Sequence, residues 1–229
     1  PDALRAAQNQ HADEINFWKF CQWRFHEQWA ALKNYANERH IQIVGDLPIF
    51  VAGHSADVWA NPELFDLDEH GHPRAVAGVP PDYFSATGQR WGNPLYDWAT
   101  MEQDDFAWWI ARFRATLDIV DIARIDHFRG FAANWSVPAS ENTAENGWWD
   151  RGPGRDLFES VYRHIPTARI IVEDLGLITP DVIALREELD LPGMAVLQFA
   201  FDGDPGNAYL PHNVIENSVI YSGTHDNQT

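Results

Sequence analysis

Asp46, Asp126, Glu173 and Asp226 each close a short apolar run, at 41–46, 119–126, 169–173 and 219–226. A fifth run, 194–201, stops just before Asp202. Side chains alternate along a strand, so in Ala123-Arg124-Ile125-Asp126 the guanidinium and the carboxylate share a face. A neighbouring cation favours the ionised carboxylate, the state a nucleophile needs. Glu173 follows Ile170-Ile171-Val172, and apolar surroundings raise a carboxyl pKa and keep the group protonated. One ionised and one protonated acid is the division of labour of glycoside chemistry. A structural role fits the same residues: Arg124–Asp126 as an ion pair and Glu173 as a helix-capping anion, since perturbed acids also occur in structural networks.

The elements that would hold these acids are legible in outline. Short apolar runs are the signature of buried parallel strands, and acids at strand ends are where a β/α barrel builds its site. Residues 2–39 read as one long amphipathic helix, with Trp18, Cys21, Phe25, Trp29, Leu32 and Ala36 on a single stripe that buries Cys21. Thr100 and Gln103 form a capping-box pattern before a helix whose apolar face is Phe106, Trp109, Ile110, Phe113 and Leu117. A further helix is expected over 155–164, with Leu157, Phe158, Val161 and Tyr162 inward, and another after the N-cap Thr179 and Pro180. The stretch 47–99 reads as a long inserted loop or subdomain, of the kind that is functional or carries its own small structure, and 127–153 as another polar, Trp-bearing loop. Strand and helix alternate without a hairpin signal, which predicts an α/β fold with parallel strands. Five strands fall short of the eight that close a barrel. Residues 1–229 therefore read as the central part of a larger catalytic barrel, with strands missing at both ends.

Composition narrows the function classes. Sixteen Lys and Arg against 34 Asp and Glu give a net charge of −18, which repels phosphate backbones and argues against a nucleic-acid partner. No apolar stretch approaches the ~20 residues that cross a bilayer, so no membrane association is expected. The single Cys21 excludes an internal disulfide or a Cys-rich metal site. Eleven Trp and 13 Phe are a heavy aromatic load, most of it expected in the core and a minority as platforms for flat ligands such as sugar rings. The acids and His127 and His225 lack metal-binding spacing, so no metal is expected. Asn134-Trp-Ser matches a glycosylation sequon and is read as chance.

Longer motifs bring in a family. Gly45-Asp-Leu-Pro-Ile-Phe50, Ser55-Ala-Asp-Val-Trp59, Pro80-Pro-Asp-Tyr-Phe-Ser85 and Gly88-Gln-Arg-Trp-Gly-Asn-Pro-Leu-Tyr96 resemble the amylomaltases, or 4-alpha-glucanotransferases, of glycoside hydrolase family 77. Arg124-Ile-Asp-His-Phe-Arg-Gly130, Val172-Glu-Asp-Leu-Gly176 and Gly223-Thr-His-Asp-Asn227 continue the resemblance in order. It implies a (β/α)8 TIM-barrel catalytic domain of glycosidase type, here partial, and a retaining double displacement without cofactor. By the same resemblance Asp126 is the nucleophile, Glu173 the general acid/base and Asp226 a third carboxylate that grips the sugar. Asp46, Tyr83, Phe84, Gln89, Trp91, Arg124, His127 and His225 match substrate-binding positions. The implied partners are maltooligosaccharides and alpha-1,4-glucans, and the implied compartment is the cytoplasm.

Three functions follow for comparison: transfer of alpha-1,4-glucan segments to a glucose or glucan acceptor, hydrolysis of such glucans on the same fold, or an inactive piece that at most binds glucan. Unpaired strand edges in an incomplete barrel would also favour self-association.

Overall fold

A computed structural model describes residues 2–82 and 85–224. Helices α1 (Asp2–Gln10) and α2 (Ala12–Asn37) lead into strand β1 (Val44–Pro48). A short helix α3 (Ala56–Ala60) precedes strands β2 (Ala75–Val79) and β3 (Gln89–Pro94). Helices α4 (Trp98–Gln103) and α5 (Ala107–Ile119) deliver the chain to β4 (Ile122–Asp126). Then come α6 (Arg129–Ala132), β5 (Ala133–Pro138), β6 (Trp148–Arg151), α7 (Arg155–His164), β7 (Ile170–Val172), α8 (Pro180–Glu188), β8 (Gly193–Val196) and β9 (Ser218–Tyr221).

All five apolar runs contain a parallel strand. β1, β4 and β7 form one sheet in that order, and β8 pairs with β9. The amide of Val172 donates to the Pro192 carbonyl at 2.9 Å, and that of Met194 to Asp174 Oδ1 at 2.7 Å, tying the end of β7 to the start of β8. Behind the three-stranded sheet, Trp109, Phe113, Phe128, Phe131 and Phe158 are fully enclosed and join α5 and α7 to the strands. Leu157, Phe158 and Val161 of α7 are buried as their spacing requires.

The stretch 47–99 does carry structure of its own, and the loop expectation for 127–153 is corrected. These stretches build a four-stranded antiparallel sheet in the order β3-β2-β5-β6. The central pairing joins segments far apart in the chain, such as Ala75 with Pro138, and the two outer pairings are joined by connections (80–88 and 139–147) too long for a tight-turn signal. Gly78 allows the close approach of β2 and β3: a Cβ there would lie 2.5 Å from the Gln89 backbone oxygen. Asn134, the sequon residue, is buried in this sheet and donates to Ser136 Oγ at 2.8 Å.

Two helix expectations also change. The 2–39 helix is interrupted at His11, and α2 buries none of its residues; Trp18, Phe25 and Leu32 are exposed, and Cys21 is half-buried. Three side-chain hydrogen bonds help anchor it: Trp29 Nε1 to the Ile119 carbonyl at 2.5 Å, and Lys33 Nζ to the Leu117 and Val120 carbonyls at 2.9 and 2.8 Å. A lysine at the C-terminal end of α5 meets carbonyls that the helix itself leaves unpaired. The capping box at Thr100 is replaced by an earlier cap, since Asp97 Oδ1 accepts from the Thr100 amide at 3.0 Å and α4 starts at Trp98. A left-handed pair, Asp105 and Phe106, then separates α4 from α5.

Candidate active site

The strand register sets the acids side by side. Asp46 pairs with Arg124 and Pro48 with Asp126 across β1 and β4, while Ile125 pairs with Val172 across β4 and β7. Asp126 and Glu173 therefore emerge together at the C-terminal ends of neighbouring parallel strands. Arg124 lies beneath them, nearly buried. Its Nη1 donates to Asp46 Oδ1 at 2.8 Å and to Asp126 Oδ1 at 3.2 Å, and its Nε points at Met194 Sδ at 3.1 Å. Burial opposes the Arg124 charge, but Asp46, Asp126 and Glu173 outweigh it and raise its pKa. Asp126 thus sits against a permanent cation.

Glu173 occupies the opposite setting. Enclosure in the cleft pushes its carboxyl up to about 7, against two backbone donors that favour the anion; the charge of Asp126 adds to the rise. Those donors are the amide of Leu175 to Oε1 and the amide of His127 to Oε2, each at 2.8 Å. His127 is in the left-handed region at φ 51°, and its imidazole is held neutral by burial and by Arg129, with a pKa of about 4. Its ring meets the edge of Trp91 at 4.7 Å, and Trp91 Nε1 donates to Gln89 Oε1 at 3.1 Å.

A cleft of about 310 Å³ contains Arg124, Asp126, His127 and Glu173 on the parallel-strand side. Gly78, Gln89, Trp91 and Trp149 line it from the antiparallel sheet. The structure thus brings Gln89, Trp91, Arg124, Asp126, His127 and Glu173 to one cavity, with Asp46 attached through Arg124. Tyr83, Phe84, His225 and Asp226 lie outside the described residues. Sequence reasoning missed Arg129 and Trp149. Arg129 lies inside the Arg124–Gly130 motif, and Trp149 was one of two adjacent tryptophans in a segment read as loop.

Across residues 1–229, the whole length, the sequence matches the glycoside hydrolase family 77 description, 4-alpha-glucanotransferase. The chain belongs to this family. A 4-alpha-glucanotransferase of Synechocystis sp. is 55% identical over all of the chain and 46% of its own length. One from Thermus thermophilus is 53% identical over 99% of the chain and 46% of its length. A solved amylomaltase from Streptococcus agalactiae, in complex with acarbose, superposes with a TM-score of 0.95 at 41% identity, covering 99% of this chain and 46% of that one. The chain spans about half the length of the curated family 77 relatives it matches.

Proposed function

We propose that this chain carries the catalytic acids of a 4-alpha-glucanotransferase that moves alpha-1,4-glucan segments to a glucose or glucan acceptor. One observation carries the reading: two carboxyl groups at adjacent strand ends in one cleft, one beside a buried cation and the other desolvated. Asp126 attacks the anomeric carbon as Glu173 gives its proton to the departing glycosidic oxygen. The bond from carbon to leaving sugar breaks, and an ester to Asp126 forms. Glu173, now a carboxylate, removes a proton from the acceptor hydroxyl; that oxygen bonds the anomeric carbon and Asp126 is released. Net retention of configuration follows from the two displacements. Gln89, Trp91 and His127 bind the sugar, with Tyr83, Phe84, His225 and the third carboxylate Asp226 completing the set.

In this reading the five parallel strands belong to a (β/α)8 barrel of which residues 1–229 are the central part. The antiparallel sheet is an insertion on the face that bears the site. No helix among the described residues is long and apolar enough to cross a membrane, in keeping with a cytoplasmic enzyme. The acarbose complex of the streptococcal relative supports a glucan-like ligand in this cleft.

The test incubates maltotriose and glucose with the full-length protein carrying this chain, beside its Asp126→Asn variant. A ladder of longer maltooligosaccharides that the variant does not make is expected. Glucose and maltose alone would assign a hydrolase instead. Parallel assay of residues 1–229 shows whether they suffice for turnover.

A further inference from the structure

The acid/base defines one side of the cleft. The proton it gives the leaving sugar is matched by one it takes from the acceptor, so both occupy the same space next to Glu173. Arg129 ties the antiparallel sheet to that side. Its Nη1 donates to the Leu177 carbonyl at 2.5 Å and its Nη2 to Thr179 Oγ1 at 3.2 Å, both on the segment that follows Glu173. Its guanidinium carbon lies 3.9 Å from the centre of the Trp149 ring. Trp135, the cross-strand partner of Trp149, meets that ring edge-on at 5.2 Å.

This bracing is unusual for a surface tryptophan. Arg129 is 5% exposed, and its Nε has no hydrogen-bond partner among the described residues. A buried guanidinium with an unused donor loses more by desolvation than an ordinary surface ion pair would return. Trp149 nonetheless remains 39% exposed and lines the cleft together with Glu173, Gly176 and Leu177. A ring held by a cation and by a T-shaped contact with a second indole, yet open to a polar cleft, is preorganised for a flat ligand with apolar C–H groups. A sugar ring is such a ligand.

We propose that Trp149, braced by Arg129, is the platform on which the acceptor sugar stacks, and that it sets the partition between glucan transfer and hydrolysis. The proposal rests on the retaining chemistry given above. Acceptor and water compete for one intermediate, the ester between Asp126 and the anomeric carbon. In either case the ester C–O bond breaks, a new C–O bond forms, and Glu173 takes the proton. The platform favours the sugar hydroxyl by holding its ring in place while excluding water.

Alpha-maltosyl fluoride with glucose tests this on the full-length protein. Fluoride departs without occupying a sugar platform, and the bound maltosyl group then yields maltotriose by transfer or maltose by hydrolysis. The product ratio at fixed glucose is internal to the intermediate, so neither the rate of its formation nor a misfolded fraction affects it. Trp149→Ala is expected to lower the ratio roughly two- to tenfold, the range of a lost ring contact. Trp149→Phe should keep it within about twofold, since a flat ring remains. Arg129→Gln should lower it less than the alanine variant does. An unchanged ratio in Trp149→Ala overturns the platform even if turnover falls, because that is the mark of a merely structural role. Fluoride release that Asp126→Asn does not diminish would instead overturn the retaining glucan reading, and the platform with it.

Discussion

Glu173 and Asp126 are both carboxyl groups, and what separates them is a few ångströms of surroundings. Arg124 faces Asp126 at 3.2 Å, whereas Glu173 is pushed up to about 7 chiefly by loss of water. For an enzyme that needs this proton, activity falls as pH rises through about 7, and a pH–rate profile of the transfer reaction checks it. The same shift has a signature in stability. A folded-state pKa above the ordinary 4.5 means that the native protein binds the proton more tightly than the unfolded chain. That contribution is complete below about pH 4.5 and is lost as pH rises through about 7. Glu173→Gln cannot titrate, so its melting temperature should gain on that of the parent between these limits and run parallel above them. Thermal melts across that range decide; a constant offset would contradict the assignment.

The element that most affects the cleft is the antiparallel sheet, because it supplies Gln89, Trp91 and Trp149 to a wall that the parallel strands leave open. Gly78→Ala places a methyl group 2.5 Å from the Gln89 backbone oxygen, so β3 must move and carry Trp91 with it. The expected result is a raised KM for glucan and a loss of about 1–3 kcal/mol in stability from overpacking, measured by initial rates and urea unfolding. An unaltered KM would show that the register of β3 does not position Trp91. The contrast with the parallel strands explains what could be read in advance. Runs such as 169–173 are apolar because both faces are covered, and their ends coincide with the acids. The strands of the second sheet carry Gly, Pro and Asn; β2 pairs with the distant β5, and β2–β3 and β5–β6 are joined by connections (80–88 and 139–147) too long for a tight-turn signal. Neither periodicity nor turn chemistry marks such segments, and Trp149 and Arg129 acquire their roles only through the pairing. The 2–39 helix fails for another reason: its large apolar side chains, Phe20 and Trp23 among them, spread beyond the proposed stripe, and the described residues offer them little to pack against.

On the scale of the molecule the exposed apolar surface of α2 matters most. Phe17, Trp18, Phe20, Trp23, Phe25, Leu32 and Tyr35 on α2 are all about half exposed, a concentration of apolar surface that soluble monomers seldom present. Residues 1–229 on their own are expected to self-associate despite a net charge of −18. Sedimentation velocity over a concentration series tests this, with the double variant Trp18→Glu, Trp23→Glu expected to shift the population toward monomer. A concentration-independent monomer in the parent would refute it. A different consequence follows from how Glu173 is fastened. Its two hydrogen-bond donors among the described residues are main-chain amides, at His127 and Leu175, contributed by the turns after two neighbouring strands. Exchange of either side chain leaves the donor itself in place, and only proline deletes an amide hydrogen outright. The position of the acid/base carboxylate is thus written in the route of the chain rather than in residue identity, whereas its proton depends on the enclosure that the surrounding side chains provide.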